Sequence, residues 1–151
     1  MPLDESSELD ELYREIILDH YRSPRNRGSL AQPSASSEGD NPLCGDEVRV
    51  ELEIRDGRIF DVRFEGKGCS ISQASASMMT EAIKGLSLAE VESLFGMFKG
   101  MMYSAGEVDA EALGDLEALQ GVRKFPVRVK CATLAWNTLQ EALEEFRKGQ
   151  G

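Results

Sequence analysis

Residues 48–64 constrain the fold more than any other stretch. Val48, Val50, Leu52 and Ile54 alternate with Arg49, Glu51, Glu53 and Arg55. After Asp56-Gly57 the alternation resumes, with Phe60, Val62 and Phe64 against Asp61, Arg63 and Glu65. Side chains on a strand point alternately to opposite faces, so each run is a half-buried strand, and Asp-Gly between two such runs marks a hairpin. Matching the apolar faces sets Leu52 opposite Phe60, Val50 opposite Val62 and Val48 opposite Phe64. That leaves Arg55-Asp56-Gly57 as a three-residue loop. The same register carried outward sets Cys44 opposite Gly68, next to Cys69; a slip of two residues sets it opposite Ser70. Either way Cys44, Asp46 and Cys69 converge at the open end of one hairpin.

The remainder reads helical. Residues 8–22 place Leu9, Leu12, Tyr13, Ile16, Ile17 and His20 at helical spacing, and Ser23-Pro24 ends the helix. Residues 24–43 are rich in Pro, Gly, Ser and Asn and read as a loop with room for a short extended piece. Ser70-Ile-Ser-Gln73 and Ser87-Leu-Ala-Glu90 are capping-box patterns, opening helices that end near Gly85 and near Met101 or Met102. Residues 103–124 hold a loop and a short helix around Leu113–Leu119. Pro126 opens a last helix to about Arg147, with Ala132, Trp136, Leu139, Leu143 and Phe146 as its apolar stripe and Cys131 in its first turn. The methionines, among them Met78, Met79, Met97, Met101 and Met102, read as core filler.

A chain of 151 residues, 41% of them apolar, is expected to make one domain, 1–151, with a real core. No apolar run is long enough to span a bilayer, and the N-terminus is acidic where a signal peptide would be basic and then apolar. The expected location is therefore the cytoplasm, where thiols stay reduced. A net charge of −10 argues against nucleic acid as a partner, because phosphate contacts need a basic footprint. Two local basic clusters, Arg22/Arg25/Arg27 and Arg123/Lys124/Arg128/Lys130, read either as solvated surface or as docking sites for a partner protein.

Cys44, Cys69 and Cys131 are the only cysteines, an odd number that excludes a fully paired disulfide framework within one chain. Singly, each reads as a small buried hydrophobe. Jointly with Asp46, each beside a strand end or helix start, they read as a metal or sulfur-handling site. Helix N-termini favour anions, so Cys69 and Cys131 are expected as thiolates. A Cys₃Asp set suits zinc, and thiolates also hold iron–sulfur clusters. His20, the one histidine, reads as a side chain near a helix C-terminus that meets the last carbonyls, or as part of a partner surface with Tyr21 and Arg22.

The segments Asp19–Gly28 (DHYRSPRNRG), Asn41–Asp46 (NPLCGD), Phe64–Ser77 (FEGKGCSISQASAS) and Lys130-Cys131 together resemble the IscU/NifU-N iron–sulfur assembly family, and within it the SufU branch. The resemblance spans nearly the whole chain. It implies an α+β fold, a small antiparallel sheet of about three strands packed against four to five helices. It also implies a metal site of Cys44, Asp46, Cys69 and Cys131. IscU-like members carry histidine immediately before the third cysteine, where this chain has Lys130. The interval from Cys69 to Cys131 is longer as well, with extra residues within 96–115. Both features mark the SufU branch and favour zinc-dependent sulfur transfer over a cluster scaffold. The activity implied is acceptance of persulfide sulfur from a SufS-like cysteine desulfurase, with Cys44 as acceptor and a partner histidine replacing it on the zinc. Downstream, the sulfur would pass to an iron–sulfur scaffold or apo-proteins. The alternative is a scaffold for a transient [2Fe–2S] cluster, or iron, on the same residues. His20, Arg22, Arg128 and Lys130 are the candidate partner-binding residues.

Overall fold

The computed structural model describes residues 5–103 and 110–150, excluding the side chains of 5–10, 110 and 150. The expected apolar role of Leu9, the acidic first residues and part of the 103–124 loop (104–109) therefore lie outside the described residues. The elements run α1 (Glu5–Arg22), β1 (Ala35–Asn41), β2 (Asp46–Arg55), β3 (Arg58–Lys67), α2 (Ser70–Ile83), α3 (Leu88–Tyr103), α4 (Ala110–Leu113), a 3₁₀ helix (Gly114–Lys124) and α5 (Pro126–Gln150). The three strands form one antiparallel sheet in the order β1-β2-β3. This is the α+β architecture expected. No described helix is long and apolar enough to cross a membrane.

The hairpin forms, but its register differs from the expected one. Leu52 opposes Val62 and Val50 opposes Phe64, two residues along from the apolar-face match, and a bulge lies between Glu53 and Ile54. Asp56 (φ 52°) and Gly57 (φ 73°) both take positive φ, so the turn has two residues, the primed geometry whose twist suits paired strands. The bulge resets the alternation beyond it. Ile59 is consequently buried, whereas Phe60, expected inward, is exposed beneath the Arg55 guanidinium, 3.9 Å from its ring centroid.

Strand β1 has no apolar alternation, yet it pairs along its whole length with β2, from Ala35 opposite Leu52 to Asn41 opposite Asp46. Small residues matter here because α5 crosses directly over the strand. A Cβ on Gly39 would overlap the Thr138 hydroxyl of α5, and Ser37 Oγ donates to Glu141 Oε2 at 3.0 Å. Val48, Val50, Leu52, Val62 and Phe64 turn one sheet face toward the helices. The opposite face is polar, with cross-strand pairs such as Arg49–Glu65 at 3.0 Å.

Helices α2 and α5 lie on the sheet, with α1, α3 and the 3₁₀ helix packed around them. Trp136 is fully buried, stacked on Phe98 (centroids 4.7 Å apart, planes 20°) and edge-on to Phe95 (5.6 Å, 84°), which ties α3 to α5. Met78, Met79, Met101 and Met102 are core residues, as expected. Leu12 stays exposed.

One capping box forms and the other does not. Ser87 N donates to Glu90 Oε1 (3.0 Å) and Glu90 N to Ser87 Oγ (3.1 Å), the reciprocal arrangement. The Ser87→Ala variant is expected to lose about 1 kcal/mol of stability in urea denaturation, the usual cost of a lost N-cap. Helix α2 instead starts one residue earlier than its pattern implies. Its N-cap is Cys69, without a side-chain cap bond, and Ser72 Oγ turns back to the Cys69 carbonyl at 3.1 Å.

Candidate metal centre

Three elements meet at the open end of the hairpin. Residues 42–45 form a four-residue turn between β1 and β2, closed by Cys44 N–H donating to the Asn41 carbonyl at 3.2 Å. Gly45, at φ 69°, supplies the left-handed step that the turn needs. The turn carries Cys44 at the surface, half-buried, beside Leu43, which is 68% exposed. Asp46 follows as the first residue of β2 and is fully buried. Cys69 caps α2, and Cys131 projects from α5, also fully buried.

The donor atoms of Cys44, Asp46 and Cys131 all lie within 4.8 Å of one another, and the Cys44 and Cys131 sulfurs are 3.3 Å apart. Cys69 adjoins this trio through Asp46. Its backbone N–H donates to Asp46 Oδ1 at 2.9 Å, and its Sγ lies 3.9 Å from Oδ2. Three of the four residues expected at the site thus form one group, and Cys69 joins it through Asp46. The Asp46–Cys69 bond also satisfies one of the N–H groups that a helix start leaves unpaired.

The chemistry of this set fits a cation. No Lys or Arg pairs with the buried Asp46 carboxylate among the described residues. A buried carboxylate facing only thiols and one N–H is costly unless positive charge compensates it. Three sulfurs and one carboxylate oxygen are donors that zinc accepts, and thiolates equally hold iron–sulfur clusters.

The expectation that Cys131 is a thiolate by virtue of a helix N-terminus does not hold. Cys131 lies in the second turn of α5, beyond the reach of the terminal dipole. Burial, followed by its hydrogen bonds with Cys44, Asp46 and Cys69, pushes its thiol well above the usual range. Its sulfur lies 3.3 Å from Cys44 Sγ and 3.7 Å from the Val127 carbonyl, the two acceptors within reach of its S–H. Without a metal the thiol keeps its proton, so metal uptake must expel it.

The candidate partner-binding residues divide. Lys130 and Arg22 are exposed. Arg128 is exposed too, yet it interacts with Cys69 and Cys131, and negative charge on either sulfur, Cys69 first, favours its guanidinium form. Arg128 precedes Cys131 by three residues on one helix, the spacing that puts two side chains on a common face. His20 is not at a surface. Its ring is fully buried, with Nδ1 2.8 Å from Ser77 Oγ and Nε2 2.8 Å from Asp115 Oδ2. Glu81 joins His20 and Asp115 in a second cluster of donor atoms, but both imidazole nitrogens are engaged and Arg25 lies 3.7 Å from Glu81. That cluster clamps α1, α2 and the 3₁₀ helix together.

Two residues beside the donor set shape it, Asn41 and Gly68, the latter a glycine whose missing side chain already reads from sequence as room for close approach. Asn41 Nδ2 donates to Cys131 Sγ at 3.8 Å, a contact foreshadowed only by its place in Asn41–Asp46. Gly68, at φ 149°, leaves the space that the Asp46 carboxylate enters.

Residues 12–132 match the NifU-like N-terminal domain family. The chain is 46% identical over 144 residues to the zinc-dependent sulfurtransferase SufU of Bacillus subtilis (strain 168), covering 95% of this chain and 97% of that protein. It is 40% identical to the iron–sulfur cluster assembly scaffold protein IscU of Streptococcus pyogenes serotype M1, over 95% of this chain and 90% of that one. Among solved structures, the putative iron–sulfur cluster assembly scaffold protein for the SUF system from Fervidobacterium islandicum AW-1 superposes with a TM-score of 0.81 at 37% identity, over 85% of this chain and 94% of that chain. With the family model matched over residues 12–132 and a relative 46% identical across 95% of the chain, the chain belongs to the NifU-like N-terminal domain family.

Proposed function

We propose that the chain is a zinc-dependent sulfur acceptor in iron–sulfur cluster assembly, taking persulfide sulfur from a SufS-like cysteine desulfurase. The observation that carries this reading is the unequal mounting of the thiols. Cys44 rides on a surface turn closed by a single backbone hydrogen bond, whereas Cys69 and Cys131 are anchored on helices. A thiol that must reach a partner's sulfur belongs on the turn, and thiols that must stay belong on rigid elements. The likeness to a relative named as a zinc-dependent sulfurtransferase supports the same reading.

Cys44, Asp46, Cys69 and Cys131 would hold the zinc, whose charge keeps the thiols deprotonated and shields them from oxidation. In the transfer step the Cys44 thiolate attacks the outer sulfur of the desulfurase persulfide. A bond forms between Cys44 Sγ and that sulfur as the donor's sulfur–sulfur bond breaks, and the desulfurase cysteine leaves as a thiolate. The chain is left carrying a persulfide on Cys44, for delivery to a downstream scaffold or apo-protein. Arg128, beside Cys69 and Cys131, offers positive charge to the anionic sulfurs while Cys44 is extended. Exposed Lys130 and Arg22 are proposed to meet the partner; buried His20 holds the helices that present the site. This reading puts the chain in the cytoplasm, where thiols are kept reduced.

The deciding experiment is turnover of a SufS-like desulfurase with and without the zinc-loaded chain, followed by alanine release. Stimulation is expected. A flat response, together with stoichiometric uptake of iron and sulfide on anaerobic reconstitution, would replace this reading with a [2Fe–2S] scaffold.

A further inference from the structure

Next to the thiols lies a cleft of about 390 Å³ that the transfer step does not use. Its apolar walls are Ile17 from α1, Ile71 from α2, and Val122 with Phe125 at the end of the 3₁₀ helix. Phe125 is 60% exposed, a large apolar surface left to water at the mouth. The cleft shares a wall with the metal centre. Ser70, which follows Cys69, lines it, and the Phe125 carbonyl accepts the Arg128 N–H at 2.8 Å. A protein seated over Cys69 would therefore border this cleft as well.

Charge narrows the occupant. The chain carries a net −10, yet the charged residues lining the cleft are Arg14 and Lys124, both cationic, with no carboxylate among them. An apolar floor takes an apolar side chain, and a cationic rim favours a carboxylate beside it.

We propose that this cleft seats an apolar side chain of the sulfur-donating desulfurase, flanked there by an acidic residue, as a second anchor of the docking event. The inference rests on the proposed function and specifies how that partner is held. An apolar anchor in a pocket supplies affinity, and the charge pair at its rim supplies encounter rate and orientation.

Gly121 provides a clean test. It lines the cleft, and a Cβ built on it meets nothing within 4 Å, so a side chain can start there without a clash at its first atom. The zinc-loaded wild type, Gly121→Trp and the double variant Arg14→Glu/Lys124→Glu would be titrated with the desulfurase by calorimetry, at low and high salt. Zinc content and melting temperature would be read on each, and the exposed double variant serves if Gly121→Trp fails to fold. Roughly tenfold or greater weakening is expected from either change, the scale of a lost anchor, with zinc content preserved. The charge reversal should also flatten the salt dependence.

If the wild type binds and stimulates the desulfurase while both variants bind within twofold of it, the cleft assignment is overturned and the proposed function stands. If the wild type does not bind at all, both fall. If ultracentrifugation shows self-association that Gly121→Trp abolishes, the cleft is an interface between copies of the chain, which also overturns the assignment.

Discussion

The Cys44→Ser variant is expected to take up no sulfur from a cysteine desulfurase while keeping the fold. Fold retention follows from placement. Cys44 sits on a turn outside the apolar core, and its side chain meets the Cys131 sulfur at 3.3 Å. Serine is close in size, and the backbone bond to Asn41 does not involve the side chain. Loss of uptake follows from chemistry. A serine hydroxyl is not ionised near neutral pH and forms no persulfide, whereas thiolate attack on a sulfur–sulfur bond is ordinary exchange. Intact-protein mass spectrometry after incubation with desulfurase and cysteine should show one added sulfur on the wild type and none on the variant. Desulfurase stimulation should fall to baseline with it. Equal sulfur uptake by the variant would remove Cys44 from the acceptor role and move it to Cys69, the other half-buried thiol.

How far the site was legible before the structure depends on how local its determinants are. The convergence of Cys44, Asp46 and Cys69 follows from the hairpin, whose alternation and Asp-Gly turn are signals internal to about twenty residues. That conclusion tolerated an error in register, because either pairing brings the same residues to the same end. The register itself was not legible. Apolar faces match equally well two residues apart, and the choice falls to a bulge at Glu53/Ile54 that no residue type announces. Phe60 and Ile59 exchange faces for that reason alone. Strand β1 was hidden because it is selected by tertiary packing rather than propensity: Ser37 and Gly39 are there to let α5 approach. The burial of His20 depends on Asp115, 95 residues away in sequence, a partner that helical spacing does not reveal. Charge alone reads Arg128 as partner surface, while its three-residue spacing from Cys131 is the signal that also sets it beside the thiols.

Gly68→Ala should damage the centre as severely as loss of a ligand, although position 68 contributes no donor atom. Two independent penalties act there. The backbone lies at φ 149°, a conformation that side-chain-bearing residues rarely adopt and that costs on the order of 1–3 kcal/mol. A Cβ would also overlap the Asp46 carboxylate and come within 2.8 Å of Ser72 Oγ. Asp46 cannot retreat cheaply, being fully buried at the start of β2 and bonded through Oδ1 to the Cys69 N–H. Moving the carboxylate therefore breaks the bond that fixes the start of α2, and with it the placement of Cys69. Displacing a group that orients metal ligands typically costs about 10–100-fold in affinity. Here the displaced group is itself a proposed ligand, so the upper end is expected, with a lower melting temperature in the metal-free protein. Competition against a zinc chelator measures the first effect and calorimetry of the apo-protein the second. Asp46→Ala separates them, since it removes the carboxylate but leaves Gly68 unstrained. It should match Gly68→Ala in zinc affinity and exceed it in apo stability. Wild-type zinc affinity in Gly68→Ala would mean that Asp46 is not held in place by this contact, and the central position assigned to its carboxylate would fail.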